Sequence, residues 1–187
     1  FRKQDMTESE LLALLIKAAV ELTAQEAPRW EFIAARFLML DFSGKLKIEL
    51  EKRNIRSFYE KLTYLEEKGL YGAYIRAGYS KEELENAYSY IDNGKNDLFT
   101  YSGLDLLLRR YVISTRGHIP LETPQEMFLG IALHLALHEK NGRMEWVRRF
   151  YLMLSSLQVT MATPTLSNAR KPYHQLSSCF IDTVPDS

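Results

Sequence analysis

One cysteine, Cys179, stands among 187 residues. An internal disulfide is therefore excluded, and with it the small secreted folds that depend on such bonds. A lone thiol fits a reducing compartment, so a cytoplasmic location is expected. A charge excess is missing too: 24 Lys and Arg balance 24 Asp and Glu. No bulk field marks a nucleic acid or an anionic membrane as partner, and neither is expected. Any phosphate site must be local. No run approaches the roughly 20 apolar residues that cross a bilayer, and no signal-like start is present. Internal repeats and low-complexity tracts are absent as well. Histidine is sparse, with 4 in the chain. His134 and His138 stand one helical turn apart, but the acid-bearing HExxH form and a third ligand are lacking, so no metal is expected. The pair is expected to be one partly buried and one surface histidine.

What is present is a chain that is 46% hydrophobic and 12% aromatic, enough for a substantial core. Its pattern is helical. Thr7-Glu8-Ser9-Glu10 has capping-box form and opens an apolar-periodic run ending near Gln25. Pro28 precedes a second run through Phe32, Ile33, Phe37 and Leu40, with Gly44 as its expected stop. Phe58, Leu62 and Leu65 form one stripe closed by Gly69 as a left-handed cap. Ser80 to Glu83 repeats the capping box before a helix to about Ile91, and Asp92 to Asp97 is turn chemistry. Ser102 is the expected cap of a short helix through Leu104 and Tyr111. "VISTRGHIPL", residues 112–121, is expected as a loop or small hairpin around Gly117. Thr123-Pro124-Gln125-Glu126 starts a helix running to Lys140, with Gly142 as its end. Met144 to Leu157 forms one more.

Beyond that point periodicity stops. Thr160 to His174 holds two prolines, Asn168 and the basic pair Arg170-Lys171, and predicts a loop. "SSCFIDTV" then predicts the sole strand. A lone strand needs backbone partners, so the missing sheet is expected after Ser187. With Phe1 in place of an initiator methionine, the chain is expected to be a piece of something longer. Thr163, Thr165, Ser167, Asn168, Ser177 and Ser178 offer hydroxyls and amides at the strand entrance, where phosphate can be held without large charge. An ordinary structural loop is an equal reading, and a buried inert thiol is the default for Cys179. The aromatic-rich stretch from Phe58 to Tyr79 is expected to pack rather than to stack on bases. The pairs Arg109-Arg110 and Arg148-Arg149 are expected to be solvated.

The loop "ATPTLSNARKPYHQLSSCF" resembles the large, catalytic subunit of ribonucleotide reductase, close to the class I aerobic enzymes. Upstream, "IKAAVELTAQEAPRWEFIAARFLML" resembles the last helices of that family's nucleotide-binding cone. "FTYSGLDLLLRRYV", "ETPQEMFLGIALHLA" and "WVRRFYLMLSSLQVTMATPTL" are similar to its helical domain. The resemblance implies a mainly α chain leading into the first strand of a ten-stranded α/β barrel. Its parts would be a cone remnant over residues 1–45, a helical domain over 46–158, and the substrate loop and first strand over 159–187. It also implies reduction of ribonucleotides to deoxyribonucleotides by thiyl-radical chemistry, with Cys179 as one thiol of a redox-active pair. Thr163 and Ser178 match positions that hold substrate, Asp186 and Ser187 match the start of the effector-specificity site, and Thr7 matches a remaining cone contact. Implied partners are the rest of the large subunit, a second copy in a homodimer, a metal-radical small subunit, a thioredoxin or glutaredoxin reductant, and ATP or deoxynucleotide effectors. Two departures stand out: the glycine-rich front of the cone is absent, and Val184-Pro185 precedes Asp186 where the family has a Cys-Gly pair. The rival expectation is a non-catalytic helical regulatory or scaffold piece, or half of a split subunit. The cobalamin-dependent reductases share the loop.

Overall fold

The computed structural model describes residues 6–115, 117–179 and 181. Among them the chain forms α1 (Glu8–Glu21), α2 (Trp30–Lys52), α3 (Phe58–Glu67), α4 (Ala73–Gly78) and α5 (Lys81–Tyr88). A 3-10 turn (Asn93–Leu98) leads to α6 (Tyr101–Arg110), α7 (Pro124–Ala136), α8 (Arg143–Ser155) and α9 (Thr163–Asn168). The mainly α expectation holds.

α7 is the central helix. An amphipathic helix shows solvent one face, but "PQEMFLGIALHLA" is apolar on nearly all sides and is buried almost throughout. α8 packs along it through Val147, Tyr151 and Leu154. Each fully buried Leu or Ile of this core contributes about 1.5–3 kcal/mol. Its polar residues are all satisfied. Glu126 accepts from Lys61 of α3 at 2.6 Å, with both groups buried, and from the Thr123 amide at 2.7 Å. Gln125 accepts from the Tyr151 hydroxyl at 2.9 Å and donates to Asn96 at 2.9 Å. α1 pairs with α2, and α2 with α6. That outer hairpin leaves Leu11, Leu14, Leu40 and Ile48 about half exposed.

The expected capping boxes at Thr7, Ser80 and Thr123 all form, and a fourth forms at Ser57. Gly69 closes α3 with φ +67°. The hairpin at 113–121 forms around one antiparallel bridge, Ser114 to Pro120.

Several boundaries differ from expectation. Gly44 does not stop α2: nothing lies near its missing side chain, and Phe42, Leu46 and Glu49 bury on either side of it. A helix-interior glycine costs about 1 kcal/mol, which this packing outweighs. Thr100 rather than Ser102 caps α6, accepting from Gly103 N at 3.2 Å; the Ser102 hydroxyl instead donates to Glu31 of α2 at 2.9 Å. α7 ends at Ala136, not Lys140, and Gly142, at φ +65°, opens α8 rather than closing α7. α4 and α9 are helices where no helix was expected. Both are only six residues long and set by tertiary contacts, below the length at which periodicity shows. Ser177, Ser178 and Cys179 run irregularly instead of as a strand. No ladder partner lies beside them among the described residues, and the remainder of the expected strand falls outside those residues.

Candidate functional site

α9 starts at Thr163-Pro164 because proline pre-sets the first-turn φ and lacks a donor that the first turn would leave unpaired. It ends against two wholly buried residues, Ala169 and Arg170. Arg170 is the anchor. Its Nε donates to both carboxylate oxygens of Glu122 at 3.1 Å, and one terminal nitrogen makes a further short bond to Glu122 Oε1. The two terminal nitrogens also donate to the carbonyls of Leu166 and Tyr111, each at 2.8 Å. Glu122 accepts in addition from Ile113 N at 2.8 Å. The guanidinium and carboxylate therefore join α9, the end of α6 and the hairpin in one dry cluster. A buried charge pair is tolerable only when its lone pairs and protons are this fully used.

The space for Arg170 depends on Gly130 of α7. A Cβ there would stand 2.5 Å from the Tyr71 hydroxyl and 2.6 Å from Arg170 Cδ. That Tyr71 hydroxyl is buried without a hydrogen-bond partner among the described residues, and burial raises its pKa well above the ordinary value. Gly72 N donates to the Arg170 carbonyl at 2.9 Å, and the Tyr74 hydroxyl donates to Ala169 O. The same hydroxyl lies 2.8 Å from His134 Nδ1, and the His174 ring packs on Tyr74 at 4.6 Å between centroids. Burial, then His174 and His138, holds the His134 pKa below its usual value. His134 is half-buried and His138 exposed, as expected.

From this anchor the segment turns outward. Asn168 Nδ2 holds the Gln175 carbonyl at 2.9 Å, and Gln175 Oε1 accepts from Ser177 N at 2.9 Å. Ser178 and Cys179 follow, both exposed, with Ser178 Oγ 3.8 Å from Cys179 Sγ. Among the described residues nothing buries the thiol. Thr163 is also exposed, and its hydroxyl lies 3.3 Å from that of Tyr111. Thr163, Ser178 and Cys179 belong to one braced segment that presents two hydroxyls and a thiol to solvent.

Thr7 is elsewhere. It heads α1, where its hydroxyl donates to Glu10 at 3.0 Å and accepts from the Glu10 amide at 3.3 Å. It lines a cavity of about 280 Å3 with Lys45 and Asp41 of α2. Asp186 and Ser187 lie outside the described residues. Arg109 pairs with Asp105 and Arg149 with Glu145 on the exposed surface, in line with solvated roles. The aromatic stretch packs as expected: Phe58, Tyr71 and Tyr79 are buried, and Tyr59 lies under the Arg76 guanidinium. Asn168 was anticipated as part of the site; Arg170, Glu122 and Tyr74 were not. Only the place of Arg170 in a loop, two residues before Pro172, hinted at its role, since ion-pair partners 48 residues apart leave no local signal.

Residues 97–174 match the family described as "Ribonucleotide reductase, all-alpha domain". The whole chain is 70% identical, over 187 residues, to the ribonucleoside-diphosphate reductase subunit alpha of Treponema pallidum (strain Nichols), of which it covers 22%. It is 34% identical to the subunit alpha of Helicobacter pylori (strain ATCC 700392 / 26695), with 99% of the chain and 23% of that protein aligned. Against ribonucleoside-diphosphate reductase 1 subunit alpha of Escherichia coli (strain K12) the identity is 28%, over 96% of the chain and 23% of the relative. The chain therefore spans less than a quarter of the length of the curated relatives it matches. Carrying the all-alpha domain and matching along its full length, the chain belongs to the ribonucleotide reductase large (alpha) subunits, of which it is an N-terminal portion.

Proposed function

We propose that this chain supplies the helical base and the substrate-facing loop of a ribonucleoside-diphosphate reductase alpha subunit, in which Cys179 is one of two thiols that reduce the ribose. The observation that carries this reading is the exposed Ser178-Cys179 pair at the end of a segment clamped by the buried Arg170–Glu122 pair. A thiol meant for packing is buried, whereas one meant to meet another surface is presented like this. Thr163 and Ser178 supply hydroxyls for substrate phosphate and ribose.

In the reaction the C2′–O bond breaks and the oxygen leaves as water. Two thiols lose two protons and two electrons as an S–S bond forms, and C2′ gains hydrogen. A thioredoxin-type reductant then restores the thiols. Radical initiation is chemistry that a cofactor, not ordinary side chains, supplies. The described residues bring no three metal-ligating side chains together, and the initiating metal-radical centre is assigned to a small-subunit partner. This cycle suits the cytoplasm, where thiols are kept reduced. No helix of the described residues is long and apolar enough to cross a membrane.

The proposed division is a cone remnant at 1–45, a helical domain at 46–158, and the loop with the first barrel strand at 159–187. α2 is then shared between the first two parts. The half-exposed leucines of α1 and α2 support a further unit packing on that hairpin. A nucleotide effector at Thr7 is supported by its adjoining cavity, and Asp186 and Ser187 are assigned to the effector site between two alpha subunits of a dimer.

The test is Cys179→Ser in the full-length alpha subunit with its small subunit. Substrate binding is expected to persist while thioredoxin-dependent multiple turnover is lost. Normal multiple turnover in that variant would refute the assignment.

A further inference from the structure

A cleft of about 460 Å3 opens between the end of α6, the hairpin and the strap that follows α9. Thr7, Thr163, Ser178 and Cys179 do not line it. Its wall is one-sided in charge: Arg109, Arg110, His118 and Lys171 face it, and no Asp or Glu is among its described lining residues. In a chain of zero net charge such a wall is a local feature. Arg109 is answered by Asp105 at 2.7 Å, but Arg110 and Lys171 meet no carboxylate at ion-pair distance among the described residues.

Lys171 is the telling residue. It is half-buried, and Glu122, the carboxylate whose charge reaches it, is already engaged by Arg170 and Ile113 N. Burial first, then the Arg170 charge, holds its amine below the usual lysine range. A partly desolvated cation beside another cation gains most from an anion brought to it. The partial negative charge at the end of α6 would oppose an anion there. The Tyr111 carbonyl at that end is already taken by the Arg170 guanidinium. At the rim the Tyr173 ring is 89% exposed, a free face for a planar group. The volume lies in the range of small-molecule sites, larger than a lone phosphate needs.

We propose that this cleft binds a small molecule bearing two or more phosphoryl charges, held by Arg110, His118 and Lys171. The cleft shares Asn168 and residues 171–173 with the loop assigned to substrate, but it does not rest on the reading given for Cys179.

The experiment is acylation of Lys171 by an amine-directed reagent in the full-length alpha subunit, followed peptide by peptide by mass spectrometry. The competitors are inorganic tripolyphosphate and ATP, and the exposed Lys140 serves as control. At ten times its dissociation constant a bound competitor slows Lys171 acylation about tenfold, leaving Lys140 unchanged. Arg110→Glu, a change at an exposed position, is expected to raise the concentration required by about tenfold or more. Protection by both competitors that survives Tyr173→Ala supports a ligand recognised through its phosphates alone. Protection by ATP that Tyr173→Ala abolishes supports a phosphorylated aromatic ligand. Absence of protection by either competitor, or protection unaltered by Arg110→Glu, would overturn the proposal.

Discussion

Replacing Arg170 by methionine keeps most of the side-chain length while removing every hydrogen bond of the guanidinium. Glu122, 1% exposed, would then be a buried carboxylate held only by Ile113 N. The carbonyls of Leu166 and Tyr111 would lose their partner as well. Removing one member of a buried ion pair costs about 3–5 kcal/mol. The exposed Arg149–Glu145 pair, with side chains 58% and 50% accessible, contributes at most about 1 kcal/mol, because water and side-chain entropy offset it. Native-state hydrogen exchange in the full-length alpha subunit separates the two cases. Residues 163–176 should open with a free energy lowered by about 3–5 kcal/mol in Arg170→Met and within about 1 kcal/mol of wild type in Arg149→Met. The double variant Glu122→Met with Arg170→Met should cost at least about 1 kcal/mol less than the sum of the singles, because no unpaired charge remains. An Arg170→Met effect no larger than that of Arg149→Met, or strict additivity in the double variant, refutes the anchoring argument. Loss of the anchor should also reduce turnover through Cys179, since the thiol is presented by the segment that Arg170 ties down.

Gly130→Ala brings a methyl group to 2.5 Å from the Tyr71 hydroxyl. Overpacking by about 1–3 kcal/mol should exceed the helix-propensity gain of about 1 kcal/mol, and thermal unfolding should show a lowered midpoint. Tyr71→Phe removes a buried hydroxyl that has no partner among the described residues; it should stabilise by about 1 kcal/mol or more and recover part of the Gly130→Ala loss. Because the His134 pKa is held below the ordinary histidine value of about 6.5, the unfolded chain binds more protons there than the folded one. The stability linked to His134 is complete above that value and declines as pH falls below it. His134→Gln should flatten this acid-side slope in pH-resolved hydrogen exchange of α7 and the strap, and an unchanged slope would remove His134 as the cause.

Much of this molecule is written locally. Caps at Thr7, Ser80 and Thr123 name helix starts because one hydroxyl and one carboxylate three residues on satisfy adjacent backbone donors. The near-continuous apolar character of α7 marks it as the helix that others surround. Gly69 ends α3 because a left-handed residue is needed there. The motif at 162–180, which holds Cys179, likewise points to its family from 19 residues. Sequence alone thus determined the helical class, most helix starts and the family.

Only the tertiary structure decided the rest. Gly44 lies inside a helix because packing on both sides outweighs its propensity. Thr163 to Asn168 became a turn of helix because Arg170, just beyond, finds Glu122 across the fold. The exposure of Cys179, the silence of Tyr71 and the one-signed wall around Lys171 arise the same way. Periodicity and capping are short-range rules, acting over three or four residues. Charge pairing, burial and close approach are settled by which distant segments the core brings together.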